Sequence, residues 1–199
     1  YGGVTRIDYG LTNRLLAKRR ATRQARELLS VSVFQSYYTD ERASQYDSSY
    51  GSSFTGRKPS AFSPLTVSAR TLPTDEMSAS VRMEYDQDAD RFVSMRANGS
   101  IAIRDVVQAT VGWSRRFVNE TRTDNLLDAG SSFRVQQGRF GGAYNFSYDF
   151  YRNQLVQQRM TGYYHAQCCG IAFEYQTYAF GLIDPRYPFS RDKRFNVSF

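Results

Sequence analysis

Two adjacent cysteines, Cys168 and Cys169, are the chain's only thiols, inside Tyr163-Tyr164-His165-Ala166-Gln167-Cys168-Cys169-Gly170. They do not bond to each other. Neighbouring Cα atoms lie about 3.8 Å apart across a trans peptide, and an unstrained disulfide needs roughly 4.4–6.8 Å. From the pair alone, two readings stay open: thiols that want a sulfur elsewhere, or two small buried hydrophobes. His165 is the only histidine. With the cysteines it makes three soft ligands and no second Cys/His pair follows, so a zinc site is disfavoured. A Cys/His nucleophile would need an orienting third group and an oxyanion hole, and neither is visible. The sequence therefore predicts no catalytic residue, no metal and no cofactor.

The segments that hold these residues alternate with period two. In Glu76 to Asp86, Met77, Ala79, Val81, Met83 and Tyr85 share one face, and Glu76, Ser78, Ser80, Arg82, Glu84 and Asp86 the other. The same pattern marks Ile7-Tyr9-Leu11, Leu29-Val31-Val33, Val107-Ala109-Val111-Trp113, Phe140-Tyr144-Phe146-Tyr148-Phe150 and Ile171-Phe173-Tyr175. Period two is the signature of a strand. Residues 14–29 hold good helix formers, but alternating runs flank them and a hairpin turn fits better. About eleven strands are predicted, over 3–17, 23–40, 63–72, 76–86, 91–103, 105–118, 126–135, 139–151, 154–166, 169–181 and 193–199. Pro59, Pro64, Pro73, Pro185 and Pro188 then fall in connections or at strand starts, where a missing N–H is tolerated.

The connections segregate by parity. The odd ones are short: 18–22, 73–75, near 104, 136–138 and 167–168. The long ones, 41–62, 119–125 and 182–192, are all even, with tight turns at 87–90 and 152–153. In an up-and-down meander odd and even connections lie at opposite ends, so one rim is trimmed and the other carries loops. Bacterial outer-membrane barrels look like this, with short periplasmic turns. A soluble β-sandwich gives no reason for such segregation. The fold class expected is all-β, an antiparallel up-and-down meander forming part of a transmembrane β-barrel, with residues 1–199 as one partial barrel domain. Cys168-Cys169 falls on the periplasmic side, where an oxidising compartment favours disulfides.

Composition agrees. The chain has 199 residues, 41% hydrophobic and 15% aromatic, with a net charge of +7. No stretch approaches about 18 consecutive apolar residues, which excludes transmembrane helices but not membrane strands. The densest basic run, Lys18-Arg19-Arg20 with Arg23 and Arg26, reads as a solvated turn, and no nucleic-acid partner is expected. The chain begins at Tyr1 without Met or signal peptide, a strand-like run starts near Val4, and it reads as a piece of a larger protein.

Several segments resemble a known family. Arg139-Phe140-Gly-Gly-Ala-Tyr144-Asn-Phe-Ser-Tyr148-Asp149, then Gln158-Arg159-Met160-Thr-Gly-Tyr163-Tyr164, Gln167-Cys168-Cys169 and Phe173-Glu174-Tyr175, resemble the C-terminal end of the barrel in the LptD family of lipopolysaccharide-assembly proteins. Tyr9-Gly10-Leu11-Thr12-Asn13-Arg14-Leu15-Leu16, Arg26-Glu27-Leu28-Leu29-Ser30 and Gln35-Ser36-Tyr37-Tyr38 are similar to its mid-barrel strands. The resemblance implies a non-enzymatic outer-membrane translocon, with more than twice the strands seen here. It implies a preceding periplasmic jellyroll, an LptE-like plug lipoprotein, a periplasmic Lpt bridge that delivers lipopolysaccharide, and a chain that continues beyond Phe199. It also implies that Cys168 and Cys169 bond to cysteines of the N-terminal periplasmic domain, in a pairing left open. A porin, or a lipid-modifying barrel, remains the alternative.

The remaining charges belong to the strands. Asp8, Glu84, Asp149 and Glu174 interleave with Arg6, Arg82, Arg96, Arg116, Arg134 and Arg159 in the polar set, which reads as a mixed-charge wall rather than an acid/base pair. Guanidinium binds phosphate bidentately. Arg82, Arg96, Arg116 and Arg134 are therefore candidate contacts for lipid A phosphates, and solvation of a wet interior is the simpler alternative. Phe195, Val197 and Phe199 give an amphipathic closing strand ending in an aromatic.

Overall fold

A computed structural model describes residues 3–18, 25–53, 58–104, 106–119, 122–135, 138–166, 169–179 and 191–199. Eleven strands form one antiparallel sheet in which every strand pairs with its sequence neighbours. They are β1 (Arg6–Lys18), β2 (Ala25–Tyr38), β3 (Leu65–Thr74), β4 (Met77–Asp86), β5 (Arg91–Ile103), β6 (Val107–Asn119), β7 (Arg122–Val135), β8 (Phe140–Asp149), β9 (Gln154–His165), β10 (Gly170–Ala179) and β11 (Arg191–Ser198). By contacts the chain divides into two compact units, residues 1–98 with 114–125 and residues 99–113 with 126–199.

The expected all-β meander is the observed one. β1 to β10 run 10–14 residues each, the length a tilted strand needs to cross a hydrocarbon core of about 30 Å. Among the described residues no helix is long and apolar enough to cross a membrane, which says nothing of a β-barrel.

Three expectations are corrected. The predicted loop at 119–125 is mostly strand, since β6 ends at Asn119 and β7 begins at Arg122. All seven of its residues are polar in type, so hydrophobic alternation carries no strand signal there. Pro73 lies within β3, not in a connection. Its missing N–H falls where the β3–β4 register breaks between Thr71 and Thr74, an irregularity that frees proline from donating to the ladder. The 41–62 connection opens with a short 3-10 helix, Glu41–Tyr46, whose N-terminus Asp40 caps by accepting from the Arg42 amide. The predicted 18–22 turn and most of 182–192 lie outside the described residues. Elsewhere the tight connections turn on left-handed residues, Asp90 (φ 49°), Arg104 (φ 47°) and Asn153 (φ 50°).

Burial is inverted relative to a soluble core. Among the described residues the buried hydrophobic side chains are Tyr38, Tyr50 and Val93 alone, whereas Glu84, Asp86, Asp149, Thr66 and Ser36 are almost wholly enclosed. Leu11, Val81, Val111, Phe140 and Phe173 are exposed. Register sorts the two sets. Leu11 pairs with Val33, Val33 with Val67 and Val67 with Met83, so one face is an apolar band. Arg14 pairs with Ser30, Ser30 with Arg70 and Arg70 with Ser80 on the other. In the second unit Phe133, Gly142, Gly162, Phe173 and Val197 continue one apolar row, while Asn145, Arg159, Gln176 and Arg194 follow one another on the polar side.

Candidate functional site

The polar face is a wall of paired charges. Arg6 on β1 donates to Asp8 Oδ1 at 2.6 Å and reaches Asp47 Oδ2 at 2.8 Å. Asp8 also accepts from the Ser36 hydroxyl at 2.5 Å. On β4, Arg82 Nε lies 3.4 Å from Glu84 Oε1. In the second unit Arg159 Nε meets Glu174 Oε1 at 2.5 Å across β9 and β10. Asp149, 1% exposed, accepts from the Tyr151 and Arg152 amides and from the Arg152 guanidinium at 2.6 Å. The mixed-charge set expected of Asp8, Glu84, Asp149 and Glu174 is thus present. Asp149 closes its own turn, with a partner, Arg152, that alternation could not indicate because it lies in the β8–β9 connection.

The four candidate phosphate contacts lie on four different strands, β4, β5, β6 and β7. Arg82 is engaged: its Nη2 donates to the Ser49 carbonyl at 2.7 Å, and its guanidinium sits 5.2 Å above the Phe34 ring. Arg96 is exposed on β5, two residues from Ser94, which faces Gly51 on the polar side. Arg116 is exposed on β6, in the polar parity shared with Thr110, which adjoins Gly130 opposite Asn145. Arg134 is exposed near the end of β7, where its amide donates to the Val106 carbonyl at 2.7 Å. Neighbouring Arg115 falls in the apolar parity and lays its guanidinium 4.6 Å from the Phe117 ring. A guanidinium over an aromatic face in this way makes a cation–π contact.

The connection after β2 adds what alternation missed. Residues 47–53 lie against the polar face of the first unit, with Asp47, Tyr50, Ser52 and Ser53 buried. Its base is fixed by Tyr38 N to Ala61 O (2.8 Å) and Ser63 N to Ser36 O (2.9 Å). The Asp47 carboxylate accepts from the Tyr38 hydroxyl and from the Ser49 amide at 2.9 Å. Burial alone would push its pKa up. The Tyr38 hydroxyl, the Ser49 amide and hydroxyl and the Arg6 guanidinium outweigh that and hold it below the ordinary carboxylate value.

Cys169 is exposed and unbonded, between β9 and β10. Its carbonyl accepts from the Ala166 amide at 2.7 Å. Cys168 lies outside the described residues. In the meander this connection and the one after β2 are of opposite parity, as expected. His165 ends β9, with its amide on the Arg139 carbonyl and its ring 5.1 Å from that of Tyr163.

Such a face, charged and hydrogen-bonded and backed by apolar residues on the other side of the same strands, suits the wall of a wet passage. Compared with known families, residues 1–150 match the family described as LptD: LPS transport system D. The match ends before the cysteine connection. No curated protein matches.

Proposed function

Because that match over most of its length makes the chain a member of the LptD family, and so of a lipopolysaccharide-transport system, we propose that it is the C-terminal part of the barrel of an outer-membrane translocon that assembles lipopolysaccharide into the outer leaflet. The single observation that carries this reading beyond the family is the inverted burial, polar residues enclosed and large apolar residues exposed on long antiparallel strands. A bilayer rewards that arrangement and water does not. The apolar face meets outer-membrane lipid. The polar face lines the lumen, where a plug lipoprotein of the LptE kind sits, and a periplasmic bridge delivers lipopolysaccharide through an N-terminal periplasmic domain. The Arg96, Arg116 and Arg134 guanidiniums, exposed on the polar side, are the better placed of the four to meet lipid A phosphates.

In the same reading Cys168 and Cys169 lock the barrel to that N-terminal domain. Exposure of Cys169 in a short connection supports this, since an accessible thiol in an oxidising compartment is free to exchange. Non-reducing electrophoresis of the full-length protein tests the lock. A mobility shift on reduction, lost when both cysteines become serine together with delivery of lipopolysaccharide to the surface, is the expected result. Identical mobility with and without reductant, and full delivery by the double-serine variant, would remove the cysteine lock.

A further inference from the structure

Glu84 is a carboxylate near the end of β4, on a sheet face that ought to be wet, yet it is 2% exposed. What encloses it is the connection after β2. Glu84 Oε1 accepts from the Gly51 amide and Oε2 from the Ser52 amide, each at 2.9 Å, so both oxygens take consecutive backbone N–H groups. Arg82, one strand position pair away, donates to the Ser49 carbonyl at 2.7 Å. Tyr50, 3% exposed, directs its hydroxyl to Ser36 Oγ at 2.6 Å and its ring toward Phe34, 6.1 Å between centroids. Asp47 completes the seat through Tyr38 and Arg6.

The chemistry of these contacts matters more than their number. A carboxylate on the wall of a water-filled passage keeps its hydration at no expense. Burying it is unfavourable unless charge-assisted hydrogen bonds replace the water. The two amides supply that replacement only while the segment is seated. Among the described contacts the Tyr50 ring is the apolar anchor, and the others named above are hydrogen bonds or ion pairs, which water can replace when the segment lifts.

We propose that residues 47–53 are a latch on the polar face of the first unit, with Glu84 as its catch, seated over β4 when no cargo passes. The latch itself is read from the polar contacts. Only the cargo it restrains rests on the transport role proposed above.

Accessibility tests it in the full-length protein, in its own membrane with its partner lipoprotein. Ser52 is 0% exposed, so Ser52→Cys reports lifting of the segment through its labelling by a bulky, membrane-impermeant maleimide, with the chain lacking this substitution as the baseline for Cys168 and Cys169. Slow labelling is expected with Glu84 present, and labelling about tenfold faster with Glu84→Ala, from loss of charge-assisted bonds. Glu84→Gln, which keeps one acceptor, should fall between. Glu76→Ala, exposed near the opposite end of β4, should leave the rate alone. If Glu84→Ala does not assemble, Tyr50→Phe, which removes only the hydroxyl bonded to Ser36, should also speed labelling. Fast labelling in the parent, or equal rates in parent and both assembled variants, overturns the latch. Delivery of lipopolysaccharide, measured separately, tests the transport role, so either reading fails without the other.

Discussion

Single residues decide where this sheet tolerates change, and the glycines show it. A Cβ added to Gly10 would meet the Val33 carbonyl oxygen at 2.7 Å and Phe34 Cβ at 2.8 Å, positions fixed by the β1–β2 ladder. A Cβ added to Gly162 would meet the rim of the Phe173 ring instead, and that ring can swing about its own torsions into the apolar medium. Overpacking typically destabilises by about 1–3 kcal/mol. Gly10→Ala is therefore expected near the top of that range and Gly162→Ala near its bottom, read as shifts of the urea midpoint of the assembled protein. Equal shifts would mean that the β1–β2 backbone yields as easily as a side chain. Neither constraint is legible in the sequence, where both residues are a small gap in an alternating run. The Arg159–Glu174 pair is legible, because alternation puts both residues in the polar set and their strands are consecutive. Arg152, in a connection, has no such periodicity to place it.

Among the elements, the strands read out of the sequence and the connection after β2 does not. β1, β4, β8 and β10 announce themselves by alternation because each has one apolar and one polar neighbour medium. β7 begins earlier than expected because Arg122 to Asn125 contains no apolar residue that could alternate. Residues 47–53 are Ser, Tyr and Gly-rich and give no period at all. Their placement comes from backbone amides meeting a carboxylate 32 and 33 residues away, a relation that only the folded chain contains. Asp47 makes this element pH-sensitive in a predictable direction. Facing it are Arg6 from β1 and Tyr38 from β2, with Asp8 sharing Arg6. Its folded pKa is depressed, so the stabilisation is fully present above the unfolded value of about 3.9 and is lost as pH falls through the lower folded one. Hydrogen exchange of residues 47–53, corrected for intrinsic rates, should show steady protection from about pH 7 to 5 and loss only below about 4. Protection lost near neutrality would contradict the assignment of Asp47 as an ionised anchor.

On the scale of the whole molecule, the family match covers residues 1–150 and carries family membership, while the cysteine connection lies past it, so the proposed domain lock rests on resemblance and an exposed thiol. Parity of connections was informative even though one of its members, 119–125, shortened. The connection after β2 and the one after β9 keep opposite parity in the strand order, because a meander alternates ends whatever each length. The central claim is that the intact protein carries lipopolysaccharide to the cell surface. It is tested most directly by depleting the full-length protein in its own cells and following newly synthesised, pulse-labelled lipopolysaccharide to the outer leaflet. The account predicts that arrival stops while synthesis and phospholipid supply continue, and that re-expression restores it. Undiminished arrival of labelled lipopolysaccharide at the surface after depletion would contradict it.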